Sequence, residues 1–321
     1  MKAKKQLVTA SGEPVRQVPL KTRIWNYRGY YLMFLPVAIF VIIFFYWPML
    51  GIRYSFYDYK PIGAKVFVGF KHFQTMFATQ AFWTSFFNTL VLSIMKLIIT
   101  TLTAVLASVF LNEMANIIAK KTLQTIIYLP HFMSWAVVAG IFSMLLSPTG
   151  TGMVNGILKD MGILDPNGQG IYFLASKAWW RPIFYIINIW KETGWGTIVF
   201  LATLSGINPE LYEAADIDGA TRMQKIWNVT VPALTNTIIT VLILNLAKVM
   251  NMFESVFVLY NSAVYDVSDV ISTYIYRQTF ASAMPNYGYT TAVGLFKSLV
   301  GGALVLICNW LSKKTRGRGI V

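Results

Sequence analysis

The hydrophobic residues of this chain fall in long runs that are separated by shorter polar stretches. Each run is about 20 residues long, the length that an α-helix needs to cross roughly 30 Å of hydrocarbon. The pattern therefore predicts an all-α, polytopic membrane protein with six transmembrane helices. We place these helices at about residues 31–50, 86–111, 123–147, 182–207, 232–258 and 289–311.

The fourth run is less regular than the others, because Lys191, Glu192, Gly194 and Gly196 interrupt it. Charged and helix-breaking residues are tolerated at membrane depth where a helix faces protein or a water-filled cavity. We therefore retain this helix and expect its irregular part to face such an environment.

The composition excludes an ordinary soluble protein. Hydrophobic residues make up 56% of the 321 residues and charged residues only 12%, whereas soluble chains carry about 25% charged residues. The expected surroundings are a lipid bilayer. The net charge of +14 then reflects membrane topology and attraction to anionic headgroups, and no nucleic-acid partner is expected.

Basic residues are concentrated at the two ends of the chain, in residues 1–29 and 312–321. By the positive-inside rule both tails are expected in the cytoplasm, and an even number of spans permits this. Residues 30–85 then comprise the first transmembrane helix and an extracellular loop, and residues 86–311 form a transmembrane core.

The segment between the fourth and fifth runs, the 208–232 loop, contains complete local signals for the start and end of helices. Asn208 is a suitable N-cap, and Gly219 suits the positive φ that commonly ends a helix. Thr221 and Gln224 form a capping-box pair for a second helix. The signals predict two short amphipathic helices that are joined by a tight turn on the cytoplasmic face.

The end of this loop is expected at Pro232, which should reset the chain before the fifth span. An ordinary interfacial helical loop, of a kind that many polytopic proteins have, satisfies the same local signals. The identities of the residues therefore have to distinguish the two interpretations.

Seven residues of the loop form a recognisable pattern: Glu213, Ala214, Ala215, Asp218, Gly219, Ala220 and Pro232. The pattern resembles the "EAA" loop of ABC importer permeases, and it departs from that loop at Ile226, where Phe is common. The resemblance implies the type I ABC importer permease fold over residues 86–311. It also implies that the loop is a coupling element that docks on a separate ATP-binding subunit.

Three further segments, residues 34–36, 46–51 and 253–261, are similar to the oligosaccharide branch of such permeases. This branch comprises polysaccharide-type subunits, and permeases for pectin-derived oligosaccharides are the nearest resemblance. The resemblance implies an oligosaccharide substrate and a place in a bacterial cell membrane. The implied partners are a second permease subunit in a heterodimer, two cytoplasmic ATP-binding subunits and an extracellular solute-binding protein.

Polar residues within the fourth and fifth runs are candidates for the substrate pathway: Trp190, Glu192, Asn245, Lys248, Asn251 and Glu254. Those of the fifth run recur every three residues and suit a surface that binds sugar hydroxyls or carboxylates. A structural pairing of Lys248 with Glu254 satisfies the same pattern, and Trp190 also suits an interfacial anchor. Lys96 and Lys297 lie in apolar runs and stay unassigned, because long side chains can snorkel or pair.

The sequence contains no catalytic, cofactor-binding or metal-binding motif. His72 and His131 lack metal-ligand spacing, and no glycine-rich phosphate loop ending in Gly-Lys-Ser/Thr occurs. We therefore expect no enzymatic activity and no directly bound cofactor, with ATP and Mg used by partner subunits. Two alternatives remain open: an ion-coupled secondary transporter that uses Lys248 and Glu254, and a membrane scaffold whose loop recruits a cytoplasmic partner.

Overall fold

The computed structural model describes residues 19–316, with the exception of positions 61, 64, 150 and 151. Most of the first predicted basic tail and the end of the second lie outside the described residues. The chain divides into two compact units, residues 1–53 and 54–321.

The first unit is helical over most of its described length. Its elements are α1 (Leu20–Asn26), α2 (Arg28–Val41), a π-helical segment (Ile42–Tyr46), α3 (Trp47–Met49) and the start of a 3₁₀ segment (Leu50–Phe56). The 29 residues Arg28–Phe56 are long and apolar enough to cross a membrane. They contain the first predicted span, residues 31–50.

The second unit begins with two short strands, β1 (Tyr57–Asp58) and β2 (Val66–Phe67), which pair antiparallel. The short helix α4 (Lys71–Ala78) precedes α5 (Gln80–Asn112), which has 33 residues. The buried face of α5 carries small polar side chains: Ser85, Asn88, Thr89, Ser93, Thr101 and Ser108. Such residues let membrane helices approach closely and form hydrogen bonds between them.

The third predicted span is broken. The elements of this region are α6 (Ile117–Tyr128), a 3₁₀ segment (Leu129–Phe132), α7 (Trp135–Leu145), α8 (Met153–Asp160) and a 3₁₀ segment (Phe173–Ala175). The two halves of the span meet at 103°. Pro130 lacks the N–H that would continue the first half, and Ser134 caps the second half. The prediction of one continuous helix over 123–147 is therefore wrong.

The fourth predicted span corresponds to α9 (Lys177–Leu204), which has 28 residues. A Cβ atom at Gly194 would lie 2.4 Å from the carbonyl oxygen of Ile127, and one at Gly196 would lie 2.6 Å from the Cβ of Ala104. The glycines that seemed to interrupt this helix therefore allow α6 and α5 to pack directly against its backbone.

The region that follows α9 contains the 208–232 loop and the fifth predicted span. Its elements are α10 (Glu210–Ile217), α11 (Arg222–Lys225), a π-helical segment (Ile226–Thr230), α12 (Val231–Leu246), a 3₁₀ segment (Val249–Asn251) and α13 (Glu254–Phe257). Arg222–Leu246 forms one stretch of 25 residues that is long and apolar enough to cross a membrane.

Pro232 does not interrupt the helix, contrary to the prediction that it separates the loop from the fifth span. A π-helical segment precedes it. The N–H of Val231 bonds to the carbonyl of Ile226, five residues earlier. In a regular α-helix the proline ring would clash with the carbonyl of Asn228, and the wider π-turn makes room for the ring. The second predicted loop helix therefore continues directly into the fifth span.

The fifth span also ends earlier than predicted, at Leu246 rather than residue 258. A helix break exposes backbone carbonyls that need hydrogen-bond donors at membrane depth. The hydroxyl of Ser93 on α5 donates to the carbonyl of Val249 at 2.8 Å. Tertiary contacts of this kind stabilise a break that hydrophobic periodicity does not reveal.

The chain ends in a group of short elements and one long helix. They are a 3₁₀ segment (Ser262–Val264), α14 (Tyr265–Ser268), α15 (Ile271–Tyr276), a π-helical segment (Arg277–Ala281) and α16 (Tyr287–Arg316). Within the described residues, four helices are long and apolar enough to cross a membrane, or five if the bent α6–α7 pair counts as one span. The fourth predicted position is covered by α9, which is not among these helices.

Buried hydrophobic residues hold α9 between its neighbours. One cluster joins α9 to α5 and α12 through Phe200, Leu204 and Leu234, among others. Another is centred on Trp180 and Phe184, whose rings stack with centroids 5.1 Å apart. Through these contacts α9 packs against α5, α7 and α12.

Candidate functional site

A cavity of about 840 Å³ lies among α5, α7, α9, α12 and the segment that follows α12. Five of the six predicted pathway residues line it: Glu192, Asn245, Lys248, Asn251 and Glu254. The sixth, Trp190, does not, and its ring packs edge-on against Phe142 with centroids 5.5 Å apart. A second cavity of about 420 Å³, beside His72, contains none of the six.

The four residues of the fifth run meet at the cavity although they do not share one helix. Asn245 lies near the end of α12, Asn251 lies in the 3₁₀ segment, and Glu254 begins α13. The polar stripe predicted from a spacing of three is therefore wrong as a helical feature. Because the helix ends at Leu246, all four residues can line the same cavity.

Lys248 and Glu254 form no salt bridge with each other in the described part of the chain. Both side chains are exposed to the cavity. The structural pairing left open by the sequence is therefore absent, and both charges are accessible to a ligand.

The lining residues that sequence reasoning missed include four polar or aromatic ones from α5, α7 and α9: Ser93, Lys96, Trp135 and Trp195. The one available signal was Lys96, a single cation in the apolar run of α5. The two tryptophans gave none, because Trp is common at membrane interfaces whether or not it contacts a ligand.

Lys191 lies beside the cavity but faces the broken third span. Its ammonium donates hydrogen bonds to the carbonyls of His131, at 3.0 Å, and Met133, at 2.8 Å. Only 5% of the residue is exposed. Lys191 therefore satisfies the carbonyls left free between α6 and α7, which explains a charge in the interior of α9.

Glu192 faces a histidine from the same break. The Nδ1 atom of His131 lies 3.5 Å from Oε2 of Glu192, and the imidazole stacks on Trp195 with centroids 5.3 Å apart. Within the residues that the structure describes, no group of three or more His, Cys, Asp or Glu is placed to hold a metal ion. Glu192 thus places a carboxylate at the cavity wall beside His131.

In the 208–232 loop, the predicted contact of Asn208, the glycine turn and the capping box are confirmed. The side chain of Asn208 accepts the N–H of Glu210 at 3.2 Å. Gly219 has a φ of +73°, a conformation that costs an L-residue about 1–2 kcal/mol. The capping box is complete: the N–H of Thr221 donates to Gln224 at 2.7 Å, and the N–H of Gln224 donates to the Thr221 hydroxyl at 3.4 Å.

Two side-chain contacts hold the helices of the loop, one to the end of α5 and one within the loop. The guanidinium of Arg222 donates to the carbonyl of Glu113, just beyond α5, at 2.9 Å, and lies 3.3 Å from its carboxylate. The hydroxyls of Tyr212 and Thr230 lie 3.0 Å apart. These contacts join α11 to the residue just beyond α5, and α10 to the π-helical segment that precedes α12.

The outer surface of the loop combines acidic and large apolar side chains. Glu213 and Asp218 are exposed. Four large hydrophobic residues are more than half exposed: Leu211, Ile217, Met223 and Trp227. An exposed apolar group with a charged rim is typical of a protein-binding surface.

A buried ion pair fixes the segment after α13 to α5. Asp269 pairs with Arg277, and its carboxylate also accepts hydrogen bonds from Thr273 at 2.7 Å and Ser85 at 3.1 Å. Burial raises the pKa of the Asp269 carboxyl, while Thr273 and Arg277 act in the opposite direction. Asp269 and Arg277 belong to none of the candidate membrane spans, and the pair links the segment between α14 and α16 to α5.

Comparison with known families identifies the chain. Residues 100–317 match the family described as "Binding-protein-dependent transport system inner membrane component". The chain belongs to this family of transport permeases. The permease core predicted at residues 86–311 thus overlaps most of the matched range.

Individual relatives agree with the family. The permease is 39% identical to the polygalacturonan/rhamnogalacturonan transport system permease YteP of Bacillus subtilis (strain 168), over 90% of this chain and 89% of that protein. It is 37% identical to Protein LplB of the same organism, over 90% of both chains. The predicted resemblance to polysaccharide-type permeases is confirmed.

A solved structure supports the fold. The permease is similar to a chain in the crystal structure of a bacterial alginate ABC transporter in complex with an alginate pentasaccharide-bound periplasmic protein. The TM-score is 0.85 at 39% identity, covering 94% of the permease and 99% of that chain. The ABC importer permease fold is thereby confirmed.

Proposed function

We propose that the permease forms one wall of a membrane pathway through which a bacterial ABC importer takes up acidic oligosaccharides. The 208–232 loop carries this proposal, because its exposed surface lies where an ATP-binding subunit would dock. Two such subunits would hydrolyse ATP with Mg, and this chain would bind neither. A second permease, in a heterodimer, would supply the other wall.

The substrate class is inferred from the relatives together with the cavity. YteP is named for polygalacturonan and rhamnogalacturonan, and the similar solved transporter imports the acidic polysaccharide alginate. In the cavity, the exposed Trp195 offers an apolar ring surface and Asn245 and Asn251 offer amides. Stacking and amide hydrogen bonds are common contacts for a sugar, which has apolar faces and hydroxyl edges.

Transport would proceed by alternating access. Closure of the ATP-binding subunits would displace the 208–232 loop, and the contacts of Arg222 and Tyr212 would pass this movement to α5 and α12 as rigid-body rotation. The cavity would then open toward a solute-binding protein outside the cell. Both termini would lie in the cytoplasm, as the positive charge of the tails requires.

The test is reconstitution of the complete transporter in liposomes, with oligogalacturonide loaded on the binding protein. We expect uptake that requires ATP, stops with a hydrolysis-deficient ATP-binding subunit, and is insensitive to ionophores. Uptake that survives without ATP and collapses with an ion gradient would establish the secondary-transporter alternative. ATPase activity that never responds to substrate would favour the scaffold.

A further inference from the structure

Two ammonium groups lie over the ring of Trp135, which begins α7. Nζ of Lys191 is 5.3 Å from the ring centroid and Nζ of Lys96 is 5.7 Å from it. Each is within the distance at which an aromatic ring attracts a cation. The ring thus holds both lysine side chains in defined positions beside the cavity.

The two lysines differ in what else they contact. Lys191 donates to two backbone carbonyls and is buried. Lys96 lines the cavity, and within the described residues its ammonium forms no salt bridge and donates no hydrogen bond. Lys297, another lysine in an apolar run, donates to the Ser272 hydroxyl at 3.0 Å and lies outside the cavity. Lys96 is thus a positioned cation whose donors remain available.

A partly buried ammonium at membrane depth is costly unless an anion or several acceptors solvate it. The carboxylate of Glu192 lines the same cavity and attracts the Lys96 ammonium electrostatically, but it lies against His131 at 3.5 Å and forms no salt bridge with Lys96. A ligand carboxylate that enters the cavity would therefore find in Lys96 an ammonium that donates to no acceptor among the described residues. Charge-assisted hydrogen bonds of this kind are about twice as strong as neutral ones.

We propose that Lys96 is a specificity-determining residue that binds a uronate carboxylate of the transported oligosaccharide, with Trp135 fixing its ammonium in place. The proposal rests on the proposed function and names the contact that distinguishes an acidic sugar from a neutral one. Lys248 lines the same cavity but is exposed, and no aromatic ring among the described residues lies under its ammonium, so its interaction with an anion is more strongly screened by water.

The experiment compares Lys96→Met, Lys96→Arg and Lys297→Met in the reconstituted transporter. Uptake of pentagalacturonate is measured beside that of its fully methyl-esterified, uncharged form. Lys96→Met is expected to lower the ratio of acid to ester uptake by about ten- to a hundredfold, the value of one hydrogen bond to a charged group. Lys96→Arg should keep most of the ratio, and Lys297→Met should leave it unchanged.

An equal loss of both substrates in Lys96→Met, or no loss of either, overturns the proposal. If the wild-type transporter carries the acid but not the ester, the ratio cannot be measured, and acid uptake by Lys96→Arg is compared with that by Lys96→Met instead. Recovery of acid uptake above that of Lys96→Met supports an anion contact, and no recovery overturns it. Absence of ATP-driven pentagalacturonate uptake by the wild type would instead contradict the proposed function, so the two failures are distinguishable.

Discussion

The 208–232 loop and the cavity are assembled in opposite ways. The loop is one contiguous segment, and its helix ends are determined by side chains only a few residues away, such as Asn208, Gly219 and Thr221. The cavity wall gathers residues from Ser93 to Ser255, and its shape depends on two breaks that distant side chains satisfy.

This difference predicts where substitutions act. Side chains on the outside of the loop contribute little to the permease fold, so changes there should affect docking and coupling. Side chains around the cavity satisfy buried backbone groups or fill close contacts, so many changes there should affect stability first. Three experiments test this division, from the largest expected effect to the smallest.

The largest effect is expected from combining Glu213→Arg with Gly219→Asp. The first change reverses an exposed charge, and the second places a side chain at the positive φ of +73°. ATP-driven uptake and co-purification of the ATP-binding subunit should fall about tenfold or more, the usual effect of losing a docking hot spot, while membrane insertion is unchanged.

The control for this variant is Asp160→Arg, an equal charge reversal at the exposed end of α8. It should leave co-purification of the ATP-binding subunit intact. Normal uptake by the double variant would show that the loop surface is not the coupling site.

The next effect concerns Lys191 and the break between α6 and α7. Lys191→Met removes the donor to two buried carbonyls, and each acceptor left unsatisfied costs about 1–3 kcal/mol. The Tm of the permease in detergent should fall clearly, and Lys191→Arg, which keeps donors, should recover part of the loss. An unchanged Tm in Lys191→Met would mean that water replaces the ammonium at the break.

The smallest effect compares two glycines in helices of the cavity wall. A Cβ atom at Gly194 would meet the Ile127 carbonyl oxygen at 2.4 Å, whereas one at Gly140 meets nothing within 4 Å. Gly194→Ala should destabilise by about 1–3 kcal/mol through overpacking, and Gly140→Ala should stabilise slightly, because Ala is the better helix former. Equal shifts in Tm for the two variants would contradict close packing of α6 on α9.

Several elements were predictable because their causes are local. The positions of the helices follow from apolar runs of membrane length, and α10, its glycine end and the capping box follow from neighbouring residues. The family pattern in the loop could also be recognised, because its residues lie close together in the sequence. The continuation of the helix through Pro232 was not, because the π-helical segment that accommodates the ring leaves no distinct mark in the residue pattern.

The sequence by itself determined that this protein lies in a membrane, where most of its helices run, and how the first part of the 208–232 loop folds, because hydrophobicity, helix length and capping act over short distances. Only the tertiary structure decided where the third and fifth spans break and which polar residues share a cavity. Those outcomes depend on backbone groups that must find donors in the absence of water. The donors, Ser93 and Lys191, come from other helices. The same packing left Lys96 facing the cavity with its donors unused, a distinction between two lysines that the sequence does not show.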